Sequence, residues 1–236
     1  MPAVWLGIAV AIALRIGDDW PLADNHIYLL AYWALAIGLA LRGADPSRTL
    51  AVTSRWLVGL AFAFAILWKA VLSPDFLDGR FFRVTLLTDP RFGEVTRLIG
   101  GLSAEQLDAN RQALAPLPAG AELLDPPSLV EPQRMQAFAT VSTWGVLGLE
   151  ASVAILMLLP TRRVTATLRH AALLLFCGVT YPFAPVAGFG WALLVMGLAQ
   201  VEPREVWLGR AYVAAFLGVL FSTELPWADL LLDVLR

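Results

Sequence analysis

Lys69 is the chain's single lysine; every other cationic side chain is an arginine. The distinction is chemical. A guanidinium stays charged at any ordinary pH, whereas a desolvated ammonium gives up its proton readily, so a base is made from lysine and seldom from arginine. Lys69 lies in Trp68-Lys69-Ala70-Val71-Leu72, just ahead of the helix stop Ser73-Pro74. At 1.5 Å per residue it sits roughly 6 Å below the end of its helix, which also lets the ammonium simply snorkel to lipid headgroups. Base and snorkelling cation both fit that position.

A second chemical group opens another apolar segment. Asp24-Asn25-His26-Ile27-Tyr28 holds one of two histidines, with Asn25 placed to cap the helix and Tyr28 of the type found in interfacial aromatic belts. If the segments containing His26 and Lys69 are neighbouring antiparallel helices, imidazole and amine fall at similar depth. Trp68 and Tyr28 or Tyr32 would then line an aromatic pocket for a flat hydrophobic ligand, although packing explains the rings as well. Glu150 interrupts Leu147-Gly148-Leu149-Glu150-Ala151 in an apolar run where an ionised carboxylate is costly. It must be protonated, paired or facing a cavity, and Arg169 or Arg210 is its expected structural partner. His170 is expected at an interface, and Cys177 as a small buried hydrophobe. No metal-binding cluster, phosphate-binding glycine loop or nucleophile elbow is apparent.

These groups sit in a chain built for lipid. Of 236 residues 58% are apolar and only 15% charged, with the charges gathered between long apolar runs. The net charge of -2 supplies no basic field, so nucleic acid is not an expected partner. The expectation is an all-α, polytopic membrane helix bundle with spans at 2–16, 26–42, 54–73, 135–160, 165–182, 185–201 and 206–223. The first segment reads as a retained helix and not a signal peptide, because it has no basic leading region. Prolines in Tyr181-Pro182-Phe183-Ala184-Pro185 separate the fifth and sixth spans, which are full spans or a re-entrant pair.

Arginines set the expected orientation. Arg42, Arg48 and Arg55, then Arg162, Arg163 and Arg169, then Arg204 and Arg210, mark three connections that share one side of a seven-span bundle. Positive loops stay inside, so the N-terminus is expected in the cytoplasm and the C-terminus outside. The arginine bias suits a bacterial inner membrane. The chain is expected to be a single transmembrane domain, 1–236, with 74–134 inserted as an extracytoplasmic cap of two or three short helices. Thr88-Asp89-Pro90 and the capping box Ser103-Ala104-Glu105-Gln106 are start signals there. Residues 226–236 read as an amphipathic interfacial helix, Trp227, Leu230, Leu231 and Leu235 opposing Asp229 and Asp233.

Two segments taken together resemble a known family. Asn25-His26-Ile27-Tyr28-Leu29 is similar to an Asn-His-x-Tyr-Leu helix start, and Trp68-Lys69 through Pro74-Asp75-Phe76-Leu77-Asp78-Gly79 looks like a lysine-ended helix followed by an Asp-aromatic-x-x-Gly turn. This ordered pair resembles the transmembrane domain of vitamin K-dependent gamma-carboxylases and their bacterial homologues, the horizontally transferred transmembrane family. The resemblance implies an outward-facing quinone site, Lys69 as the base that deprotonates a reduced quinone, and Asn25 and His26 contacting the quinone or the carboxylation centre. Phe176-Cys177-Gly178 stands where the family usually has a Phe-His pair. The short tail after the last span leaves no domain to capture peptides, so quinol-linked chemistry is expected and peptide gamma-carboxylation is not.

A non-catalytic reading competes with it: an accessory subunit of a larger membrane complex, docking through small residues such as Gly145 and Gly148 or Ala61, Ala63 and Ala65. A transporter is a weaker third reading, for want of an internal repeat.

Overall fold

The computed structural model describes all residues except 118, 121, 123, 124, 126, 185, 226, 235 and 236, together with the side chains of 187, 223, 228, 229 and 233. Every regular element among the described residues is helical: α1 (Pro2–Asp18), α2 (Asn25–Ala40), α3 (Pro46–Leu67), α4 (Pro74–Leu77), α5 (Arg80–Thr88), α6 (Gly93–Val95), α7 (Ala104–Ala113), α8 (Gln133–Leu158), α9 (Arg163–Thr180), α10 (Ala187–Leu198), α11 (Val206–Glu224) and α12 (Trp227–Val234). A π-helical segment, Trp68–Leu72, continues α3; a 3-10 turn, Pro90–Phe92, and a π turn, Thr96–Gly100, flank α6.

Each of the apolar segments of the sequence becomes a helix. By length and composition, two helices suffice to cross a membrane: Pro46–Leu72, 27 residues with mean hydropathy 1.9, and Gln133–Leu158, 26 residues with mean hydropathy 1.7. At 1.5 Å per residue either exceeds the roughly 30 Å of a hydrocarbon core. Asn25–Ala40, Gly188–Leu198 and Val206–Ser222 are shorter apolar helices. The core helix of a water-soluble protein hides its apolar residues, yet only 22% of the most apolar window of Pro46–Leu72 and 33% of that of Gln133–Leu158 is buried. Trp56, Leu60, Phe64, Trp68 and Val71 on the one, and Val141, Trp144 and Ile155 on the other, are exposed. Outward apolar faces on this scale point to membrane association.

The chain divides into two compact units. The first comprises Met1–Ile66, Leu149–Pro182 and Val186–Glu224. Its core gathers Val58, Phe62, Val153, Met157, Leu173, Phe176, Cys177, Leu193, Met196 and Tyr212, with the Phe62 and Phe176 rings edge to face at 4.7 Å. The buried Cys177 is the small hydrophobe expected of it. Close packing depends on glycine at several contacts, Gly59 and Gly197 among them. A Cβ on Gly59 would meet Leu158 Cδ2 at 2.9 Å, and one on Gly197 would overlap Tyr212 Cε1. Gly145 and Gly148, the glycines expected at close helix contacts, are exposed and would have nothing within 4 Å of a Cβ.

Two local expectations change in this unit. α2 begins at Asn25 itself, and Asp24 holds the N-cap position with extended backbone, so Asn25 is the first helical residue and not the cap. α3 starts at Pro46, well ahead of 54. Its polar first turn is helical because Asp45 Oδ1 accepts the Arg48 backbone N–H at 3.0 Å and proline suits the first helical position.

The second unit comprises Leu67–Gly148, Phe183–Pro185 and Leu225–Arg236. Leu87, Leu102, Leu107 and Met135 form its core. Both start signals operate: Asp89 accepts the Arg91 backbone N–H at 2.9 Å, and Ser103 and Gln106 close a reciprocal capping box. The segment expected to hold two or three helices is wound more continuously, with short turns between α5 and α7. Buried and half-buried polar groups tie it together. Asn110 exchanges two 2.8 Å hydrogen bonds with the backbone of Val130, Thr96 Oγ1 donates to Leu86 O at 3.0 Å, and Arg83 pairs with Glu131. The amphipathic terminal helix is α12, with Leu230 and Leu231 exposed; its expected residue Leu235, like the helix-separating Pro185, lies outside the described residues.

Candidate ligand site

Lys69 falls inside the π-helical segment Trp68–Leu72. A π turn admits an extra residue between hydrogen-bonded partners and redirects the side chains it carries, which is why such turns recur at functional sites. Ser73 leaves helical conformation and Pro74 starts α4. The lysine is half-buried, and its Nζ stands 5.2 Å from the centroid of the buried Phe76 ring. Phe76 is held in turn by Phe81 at 5.2 Å and Phe82 at 5.6 Å. Arg80 bridges Asp75 at 2.6 Å and Asp78 at 2.7 Å, and the hydrogen bond from its backbone N–H keeps the Asp78 carboxyl below the usual carboxylate range. Trp68 presents an exposed indole beside the lysine.

The remaining candidates belong to the first unit. His26 lies half-buried in the first turn of α2, where a Cβ on Gly188 would stand 3.9 Å from its Cδ2. Asn25 is exposed and Tyr28 half-buried. Glu150 is 6% exposed. His26 therefore belongs to the first unit and Lys69 to the second. The arginines expected beside Glu150 are engaged elsewhere: Arg169 donates to Leu156 O at 3.3 Å and Thr161 Oγ1 at 3.3 Å, and Arg210 lies over the Trp207 ring at 5.1 Å.

Sequence reasoning missed a buried polar pair. His170, expected at an interface, is 5% exposed, and its Nδ1 meets the Tyr212 hydroxyl at 2.9 Å. The available signal was its spacing to Leu173 and Cys177, which puts it on the buried face of α9; the neighbouring arginines masked it. Among the described residues, no three His, Cys, Asp or Glu side chains converge as a metal site would require. No protein-family model matches the chain, and no curated protein or solved structure matches it.

Proposed function

We propose that the chain is a multi-pass protein of a bacterial inner membrane, with cytoplasmic N-terminus and extracytoplasmic C-terminus. In this reading it binds a quinone or similar flat apolar ligand beside the Lys69 turn, and Lys69 acts as base. The observation that carries the proposal is the placement of the chain's single lysine in a π-helical segment, half-buried against the Phe76 ring. An amine that takes a phenolic proton becomes an ammonium, and an aromatic face stabilises that cation by about 0.5–2 kcal/mol. The reduced quinone becomes its phenolate, the species that dioxygen from solution then oxidises. Trp68 offers a plane for the ring. The outward apolar residues and the arginines gathered at three connections support the multi-pass topology.

Titrating the purified protein with a reduced short-chain naphthoquinone tests this. Lys69→Met should abolish phenolate formation and quinol oxidation, and Lys69→Arg, which keeps the charge but cannot accept a proton, should retain binding without turnover. Wild-type behaviour in Lys69→Met removes the role.

A second reading, a non-catalytic subunit of a larger membrane complex, draws on α8. Val141, Trp144 and Gly145 are exposed there, and nothing fills the space beside Gly145. Co-purification of a stable assembly in mild detergent, lost in Gly145→Leu, supports that reading over the catalytic one.

A further inference from the structure

Arg55 of α3 and Arg169 of α9 converge on one neutral oxygen. Arg55 Nη1 donates to Thr161 Oγ1 at 2.6 Å, and Arg169 Nη2 donates to the same atom at 3.3 Å. Arg169 is 5% exposed, and the two guanidinium groups are near enough to repel each other. Among the described residues neither makes an ion pair with a carboxylate. Burying one unpaired cation is expensive, and holding two together without a counter-charge compounds the cost.

The remaining donors are arranged to meet an anion. Arg55 Nε is buried without a hydrogen-bond partner. Thr161 accepts from both arginines, which leaves its hydroxyl proton to donate. Thr161 is exposed, so the cluster opens outward, and it precedes the N-cap of α9, whose helix dipole adds positive potential. The exposed Arg162 and Arg163 flank it. Planar guanidinium groups beside a hydroxyl donor suit a tetrahedral oxyanion better than chloride, because each fork offers parallel N–H groups to two oxygens.

We infer that Arg55, Thr161 and Arg169 form a phosphate-binding site, filled by the phosphate of an anionic lipid headgroup or by a free phosphate. The site shares no residue with the Lys69 turn, so its failure and the failure of the quinone reading are distinguishable.

Thermal unfolding and native mass spectrometry of delipidated protein in neutral detergent test the inference, with short-chain phosphatidic acid, inorganic phosphate and matched chloride as probes. Stabilisation by phosphatidic acid alone assigns the site to a lipid headgroup, and stabilisation by inorganic phosphate as well assigns it to phosphate in general. In either case Arg55→Gln should weaken the response by about tenfold, as loss of a charge-assisted contact does. Thr161→Val should weaken it less, and it keeps the measurement open if Arg169→Gln fails to fold. No phosphate-dependent shift beyond chloride, or an Arg55→Gln protein that responds like wild type, overturns the inference.

Discussion

His170 Nδ1 and the Tyr212 hydroxyl meet at 2.9 Å with both side chains buried, tying α9 to α11. The Tyr212 ring also fills the space left by the missing side chain of Gly197 on α10. One tyrosine therefore sets the spacing of three helices.

Tyr212→Phe removes the hydroxyl and leaves a buried imidazole nitrogen without its partner. The expected loss is about 1–3 kcal/mol, read as a lower unfolding midpoint in detergent. Pairing it with His170→Leu should cost less than the sum of the single changes, because no polar atom is then stranded. Additive losses would rule out the bond as the cause.

Gly197→Ala places a methyl group where the Tyr212 ring stands, and that ring is held by His170. A loss of about 1–3 kcal/mol is expected from overpacking. Gly145→Ala is the contrasting change: nothing lies within 4 Å of the new Cβ, so stability should hold or rise by up to about 1 kcal/mol from helix propensity. Equal losses at the two positions would contradict the packing described.

Asn110→Leu severs both hydrogen bonds to Val130 and strands a backbone N–H and C=O. Local hydrogen exchange at Val130 should accelerate sharply, whereas Ser103→Ala, which removes the α7 cap, should cost about 1 kcal/mol and chiefly loosen Ala104–Gln106.

Asp89 should give the second unit a pH dependence. Hydrogen bonds from the Arg91 side chain, with a further bond from its backbone N–H, hold this carboxyl below its usual value. A depressed value in the folded state means the cap contributes fully above the unfolded value of about 3.9 and fades as pH falls through the folded one. Exchange of the Arg91 amide, compared with Asp89→Asn, should show this extra protection disappearing only in acid. Equal protection in the two proteins across the whole range would exclude the effect.

Much of the helical pattern is legible from composition and end signals. Apolar runs give the helices, and Asp89-Pro90 and Ser103-Gln106 mark local starts because a side-chain oxygen satisfies a backbone donor a few residues away. Asn25 was harder to place, since Asp24 beside it competes for the same N-cap position. The early start of α3 was hidden because polar residues after Asp45 read as a loop until the cap is seen.

By itself the sequence determined that the apolar runs form helices, that two of them are long and apolar enough to cross a membrane, and that one amine differs chemically from every other cationic side chain in the chain. Those properties depend on residues near one another along the chain. Tertiary structure alone decided that His170 is buried on Tyr212, that Arg55 and Arg169 share Thr161, and that Gly59 and Gly197, not Gly145 and Gly148, admit a neighbour closely. Each of these depends on which faces of distant helices meet, and apolar periodicity that is similar on every side of a helix does not specify its rotation.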